Sequence, residues 1–286
     1  MADEKTLENA LKSADITVDL HLLIKNMGWG QGMLAVSSPA NAASVLQEAR
    51  QGVEEDITAR VREYAGRTGQ PLSQIFPPYV FVPVEKKTPV LGTYQRLIAF
   101  SQGDTQSFNV LFLPTSENTK LLVKDTADSK GLILEATKGT YATRGEEVVY
   151  DITSAIEDFV AGTGLKEGTA FAVSQHTTAS VMTGTQANLL EHLAQIGRIA
   201  PFDAVYVHND WSKRTNVPPD ESKNGASHVR TALTGNSAVV IVTEGKLRLN
   251  GGSVYLIDHD APRKGRGIML AISQPSKPDF AFLKYT

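Results

Sequence analysis

The 286-residue chain carries 28 Lys and Arg against 31 Asp and Glu, a formal charge of −3, with 41% hydrophobic and 21% charged residues. That balance belongs to a soluble globular protein and gives no general attraction to nucleic acid or to anionic lipid, both of which call for a basic surface. The absence of cysteine excludes disulfides, thiolate metal ligands and a Cys nucleophile, and an acidic start with no run of roughly 20 apolar residues sets the expectation of a cytoplasmic protein without signal peptide or membrane span.

In chain order, the first third predicts a helix at 17–27, a strand at 33–37, a helix near 45–64, and strands at 79–84, 94–100 and 108–113. Residues 114–131 are polar and read as a linker in which 120–123 could form a strand. A strand follows at 132–137. After Asp151-Ile152-Thr153, apolar residues at Ile156, Phe159 and Val160 have helical spacing, with Asp151 or Thr153 as N-cap and Gly162 and Gly164 at the end. A strand at 170–173 comes next. Leu189, Leu190, Leu193 and Ile196 predict a helix over 186–196. Alternation in Val205-Tyr206-Val207-His208 places Tyr206 and His208 on one strand face. A loop at 211–224 contains Pro218-Pro219, and a helix runs through Val229 and Leu233. The remaining strands are 238–243, 246–249, 253–258 and 267–273, with Gly245 and Gly251-Gly252 in the turns.

The two halves echo each other. Asp15-Ile16-Thr17, Gly28, Gly32 and Ser44 recur 136 positions later as Asp151-Ile152-Thr153, Gly164, Gly168 and Ser180. Further on, Val80, Gly92 and Leu97 recur 159 positions later as Val239, Gly251 and Leu256. Two blocks in the same order predict a duplicated unit, with boundaries at 1–115, a linker at 116–131, and 132–286. The growth in offset puts 23 extra residues within about 195–238 of the second half. Those residues bring His208, Asp210, Trp211 and His228, and Ala40 stands where the second half has His176. The first half also starts too abruptly to hold a strand matching 132–137, so another segment, 119–126, is expected to fill that sheet position.

Five of six histidines lie in the second half. His21 and His192 fall inside helices and read as ordinary helical residues. His176 sits at a strand end among Gln175, Thr177, Thr178 and Ser180, a set of small donors and acceptors able to fix an imidazole tautomer or hold an anion. With His208 and His228 it could converge on a divalent ion, since neutral imidazole ligates zinc and its neighbours, although the sequence spacings match no zinc signature. The loop from Asp258 to Gly267 mixes carboxylates with Arg263, Lys264 and Arg266. It reads as a solvated turn or as a phosphate clamp of forked donors.

Taken together, Gln175-His176-Thr177-Thr178-Ala179-Ser180, Tyr206-x-His208, Asn224-x-x-Ser227-His228, Gly245-x-Leu247 and Asp258-x-Asp260-x-Pro262-Arg263 resemble the signature of the YjbQ-like family over about residues 132–275. The resemblance implies an α+β fold: two copies of a YjbQ-like domain, with mostly antiparallel or mixed sheets and two helices each. It also implies a homo-oligomer, a trimer as in other members, and the thiamine-phosphate-synthase activity described for some of them. Carried over, it makes His176, His208 and His228 the catalytic residues. Thr177, Ser180, Ser227, Asp258 and Arg263 would then bind a small phosphorylated ligand. Two rival readings are a hydrolase using a zinc-like divalent metal on His176, His208 and His228, and a non-enzymatic binding or assembly protein. The family's Asn-Glu-Asn-Ala-Asp stretch is Gly184-Thr185-Gln186-Ala187-Asn188 here, without its two carboxylates. Its Gly-Thr-Trp-Gln stretch is Gly252-Ser253-Val254, and the first half keeps it better as Gly92-Thr93-Tyr94-Gln95. Lacking the histidines, the first half is expected to be structural or oligomerising, supplying packing surface or one wall of a neighbouring site.

Overall fold

The computed structural model describes residues 11–15, 17–38, 42–102, 106–115, 117–123, 147–215, 217–261, 266–274 and 279–285. The N-terminal half contains β1 (Leu11–Asp15), α1 (Thr17–Met27), β2 (Gly32–Ser37), β3 (Ala42–Glu48) and α2 (Val53–Thr68). It continues with the short α3 (Leu72–Ile75), β4 (Tyr79–Glu85), β5 (Thr88–Pro89), β6 (Gln95–Gln102) and β7 (Gln106–Pro114). Strand β8 (Glu117–Val123) leads to the C-terminal half: β9 (Val148–Asp151), α4 (Thr153–Thr163), β10 (Glu167–Ser174), β11 (Ala179–Gly184) and α5 (Gln186–Ile199). After a single 3-10 turn at Trp211–Lys213 come α6 (Gly225–Thr234), β12 (Ser237–Thr243), β13 (Lys246–Leu247), β14 (Ser253–Asp258), β15 (Arg266–Ser273) and β16 (Asp279–Tyr285).

The architecture is α+β, and every strand pair described is antiparallel. Two three-stranded sheets, β1-β6-β3 and β9-β14-β11, accompany two five-stranded ones, β5-β4-β2-β7-β16 and β13-β12-β10-β15-β8. Each small sheet matches the other strand for strand in chain order, and so does each large sheet up to its outermost strand. There the chain crosses over. Strand β8, which follows β7, pairs with β15, while β16, which follows β15, pairs with β7. Residues 119–123 thus lie on the sheet of the C-terminal half, not in the position expected for 119–126, and the edge beside β7 is covered by β16. The expected strand at 132–137 lies outside the described residues.

Six strands escaped the sequence reading, β1, β3, β5, β9, β11 and β16, and burial accounts for two of them. β3 is buried along its whole length, so it lacks the apolar–polar alternation that marks a half-exposed strand, and its apolar run merged into the helix expected near 45–64. That helix begins only at Val53, after Gly52 takes φ +99°. β11 is likewise buried over Ala179–Val181. The expected strand at 205–208 does not form, and Tyr206 and His208 lie in an irregular loop, both buried. The extra residues of the C-terminal half include α6, and with the short α3 in the N-terminal half each half has three helices rather than the expected two. The helix α4 starts without a side-chain cap at Ile152. Instead, Asp151 Oδ1 accepts from the Thr153 N–H and hydroxyl. Its end is as expected, with Gly164 left-handed.

One core cluster joins the halves. It packs Val53, Ile57 and Val61 of α2 with Leu193 and Ile196 of α5 and Val229 of α6. A second cluster also crosses the boundary, setting Phe81 of β4 edge-on to Phe171 of β10, with ring centroids 5.2 Å apart. Among the described residues, no helix is long and apolar enough to cross a membrane.

Candidate functional site

The junction of the two halves is tied by buried polar side chains, and these build the site. At the end of β3, the fully buried Gln47 donates from Nε2 to the carbonyls of Thr177 (2.9 Å) and His228 (2.8 Å). Its Oε1 accepts from the Glu48 N–H and lies 2.9 Å from His228 Nδ1. A side-chain amide whose nitrogen already faces two carbonyls must present its oxygen to the imidazole, so His228 carries its proton on Nδ1 and leaves Nε2 bare. Burial, reinforced by the nearby His208 and Arg214, pushes the His228 pKa well below its usual value. Across from Nε2, 3.7 Å away, lies Glu48 Oε2. Burial raises the Glu48 pKa, and Arg50, whose Nε lies 2.7 Å from Glu48 Oε1, partly opposes that rise.

His208 is fixed from the opposite half as well. The buried Asp56 of α2 accepts from the backbone N–H groups of Val207 (2.7 Å) and His208 (2.9 Å), which holds this loop without any strand. Gly52 is packed so closely that a Cβ there would meet His208 Cα at 2.7 Å. The His208 ring lies 4.8 Å from that of His228, and its Nε2 is 2.9 Å from Glu221 Oε1, with poor alignment for a hydrogen bond. Desolvation first, then Arg214, lowers the His208 pKa.

His176 differs from the other two. Its Nε2 accepts from the Gly267 N–H at 2.7 Å, and its carbonyl accepts from Gln95 and Asn236. It therefore ties the β10 end to the start of β15. Thr177, Thr178, His176 and His228 line a cleft of about 360 Å³ whose facing wall comes from Glu48, Arg50 and Tyr94 of the N-terminal half. Arg50 stacks over the Tyr94 ring at 4.6 Å and reaches Glu221 at 3.3 Å. Glu221, Asn224, Asp260 and Arg266 complete the rim. Arg266 pairs with the buried Asp258, while Arg266 Nε, Asp258 Oδ2 and Asn224 Oδ1 are buried without a hydrogen-bond partner among the described residues.

Ser180 and Ser227 do not reach this cleft. Ser180 Oγ lies 3.0 Å from His259 Nε2, His259 Nδ1 lies 2.5 Å from Glu147, Glu147 pairs with Arg230, and Ser227 donates to the His259 carbonyl. All are buried. This is an internal polar network beneath the site. Arg263 lies outside the described residues, although its neighbours Asp260 and Arg266 are on the rim. The described residues include no group of three or more His, Asp, Glu or Cys side chains arranged to hold a metal ion. A three-histidine centre would require His176 to give up its bond to Gly267.

A family model described as UPF0047 protein YjbQ-like matches residues 137–275. The UPF0047 protein YugU of Bacillus subtilis is 30% identical over 122 residues, which cover 42% of this chain and 86% of that protein. The chain belongs to the UPF0047, YjbQ-like family. Another UPF0047 protein, from Archaeoglobus fulgidus, is 28% identical over 136 residues, covering 46% of this chain and 98% of that one. A solved YbjQ-like protein of unknown function from Sulfolobus solfataricus is 22% identical with a TM-score of 0.41, covering 55% of this chain and 97% of that chain. The UPF0047 match takes in His176, His208 and His228. Gln47, Glu48, Arg50 and Tyr94, which face them, lie outside it. Sequence reasoning missed these four because it sought chemistry only where the histidines are. The better-kept Gly92-Thr93-Tyr94-Gln95 was the available signal.

A further imidazole, His192, gives a pH prediction. Its pKa is lowered to about 4, by burial first and then by His259. Below pH 6.5 an unfolded histidine takes up a proton that folded His192 refuses until about pH 4, so the unfolded state binds more protons and stability falls with falling pH. The loss over that window is at most about 3 kcal/mol. The depressed His208 and His228 add in the same direction. Glu48 and Asp56, raised by burial, act oppositely: their contribution is lost as pH rises through their folded values. Urea midpoints from pH 7 to 4 should show a shallower acid slope in His192→Asn than in the wild type, and equal slopes would refute the assignment.

Proposed function

We propose that the cleft binds a small phosphate-bearing molecule and performs acid–base chemistry on it, of a group-transfer kind, with His228 Nε2 as general base. The carrying observation is the juxtaposition of this bare nitrogen and Glu48 Oε2, 3.7 Å apart, in a cavity that also holds the Arg50 and Arg266 guanidiniums. A neutral imidazole with one fixed tautomer offers a bare lone pair at ordinary pH. Because its lowered pKa makes it a weak base, it serves as a relay, passing a proton to the neighbouring carboxylate, whose raised pKa suits it to take that proton on or return it. Forked guanidinium donors suit phosphate oxygens, and Arg50 and Arg266 both line the cleft. His176 acts as a positioning residue that sets the start of β15. In this reading the two halves descend from one duplicated unit, and the half without the site histidines supplies the acid and one cation.

Calorimetric titration with inorganic pyrophosphate tests the reading. Saturable binding is expected, weakened about tenfold or more in Arg50→Gln, since a charge-assisted pair contributes on the order of 1.5–3 kcal/mol. His228→Gln should bind pyrophosphate with little change but lose turnover of any substrate found. Failure of pyrophosphate to bind, or indifference to Arg50→Gln, would overturn the phosphate assignment. A full equivalent of metal in protein purified without a His tag would favour the metal-dependent hydrolase instead.

A further inference from the structure

A second cavity, of about 320 Å³, opens at the same junction but on other elements. On one side lies the N-terminal segment running from α3 into β4, through Phe76, Pro77, Pro78 and Tyr79. On the other are Val181, Met182 and Thr183 of β11. Its floor is the end of α6 and the start of β12, with Leu233, Thr234, Ser237 and Val239, and His192 of α5 projects into it. Its chemistry is the reverse of the first cleft's. No Asp, Glu, Lys or Arg lines it, whereas the first is lined by four carboxylates and two guanidiniums.

Three of the polar side chains in this cavity, Ser237, His192 and Thr234, have partners. The Ser237 hydroxyl accepts from the Phe81 N–H at 3.3 Å. His192 Nε2 lies 3.0 Å from Thr234 Oγ1, which leaves Nδ1 as the ring nitrogen able to pair with a ligand. The imidazole stays neutral down to about pH 4, so the lining presents no charge at ordinary pH. An ionic ligand would be desolvated there without a counter-ion. A lining without charge, in which apolar side chains alternate with the polar groups of Gln74, Thr183, His192, Thr234 and Ser237, at the lower end of the usual size of small-molecule sites, suits an uncharged molecule of modest size with both polar and apolar parts.

We propose that this cavity is a binding site for a small uncharged ring compound carrying a hydrogen-bonding group, which pairs with His192 Nδ1. It is separate from the charged cleft and does not depend on what that cleft does.

Indole is the probe. In ligand-observed NMR titration it should bind saturably, and a crystal soak should place its ring between Pro78 and Met182 with its N–H toward His192. Val239→Trp and Thr183→Trp, two independent substitutions that fill the cavity from opposite walls, should each weaken binding at least tenfold. His192→Phe should weaken it several-fold, and indole-3-acetate, the same ring with a carboxylate, should bind at least tenfold less well than indole. Saturating inorganic pyrophosphate should leave indole binding unchanged. The proposal is overturned if indole shows no saturable binding, if both filled variants bind it as the wild type does, if the carboxylate analogue binds equally, or if pyrophosphate displaces it.

Discussion

Replacing Gly92 with alanine is expected to lower the free energy of unfolding by about 3 kcal/mol, the upper end of the usual range for forcing atoms into a filled interior. Gly92 precedes β6 in the N-terminal half and presses on the C-terminal half. A Cβ there would stand 1.9 Å from the Gln175 carbonyl oxygen and 2.9 Å from its carbon. Neither side gives way cheaply. The Gln175 main chain is held by its own N–H to the Gly267 carbonyl. Gly92 is held by its N–H to Gln95 Oε1 and by the Gln95 N–H to its carbonyl. Relief of the clash must therefore separate the halves, and separation breaks the bonds from Gln95 Nε2 to the Ser174 and His176 carbonyls. Gly66→Ala is the matched control. It lies inside α2 with nothing within 4 Å of its Cβ position, so alanine there should stabilise by about 0.5–1 kcal/mol. Urea denaturation distinguishes the two, and a Gly92→Ala midpoint equal to the wild type's would mean that the junction is looser than described.

Gln47→Leu should cost about 3–5 kcal/mol, since several buried polar groups lose their partners together. The leucine roughly preserves volume, so packing contributes little to the loss. It removes the partners of the His228 Nδ1–H and of the Thr177 carbonyl, an acceptor of the Glu48 N–H, and a second donor to the His228 carbonyl, which keeps its place in the α6 ladder. Gln47→Glu is the informative companion. It keeps an acceptor for Nδ1–H but removes both donations to the carbonyls. Nitrogen chemical shifts of His228 should report a single Nδ1–H tautomer in the wild type and in Gln47→Glu, and a mixture in Gln47→Leu. A pure Nδ1–H signal in Gln47→Leu would show that something other than Gln47 sets the tautomer.

Much of the framework could be read from residue order because it rests on local pattern. The helix at 17–27 and the strands near 33–37, 79–84 and 238–243 follow from periodicity and glycine placement, and the structure has them within a residue or two. What could not be read were features set by distant neighbours. The strands β3 and β11 are covered on both faces over much of their length, so they carry no alternation. The loop around His208 shows strand-like alternation but is held by Asp56, about 150 residues earlier in the chain. The site was half legible. His176, His228 and Thr177 do share a cleft, and the His208 ring lies tilted against that of His228. The carboxylates absent from Gly184–Asn188 led attention to that stretch, yet the carboxylate nearest His228 Nε2 is Glu48 from the other half. No local motif announces a residue whose role is defined by what packs against it.

The exchange of outer strands has a consequence for the order in which the chain can fold. On the ribosome, residues 106–114 emerge long before 279–285, their partner in the sheet. Throughout that interval β7 presents a row of unpaired backbone groups, a template for pairing with another nascent chain. Because β8 leaves the first sheet to pair with β15, it does not cover that row. The N-terminal half is thus synthesised first and completed last. A ribosome stalled before residue 279 would hold a chain whose first large sheet is open, and chaperone occupancy should persist until that point has passed.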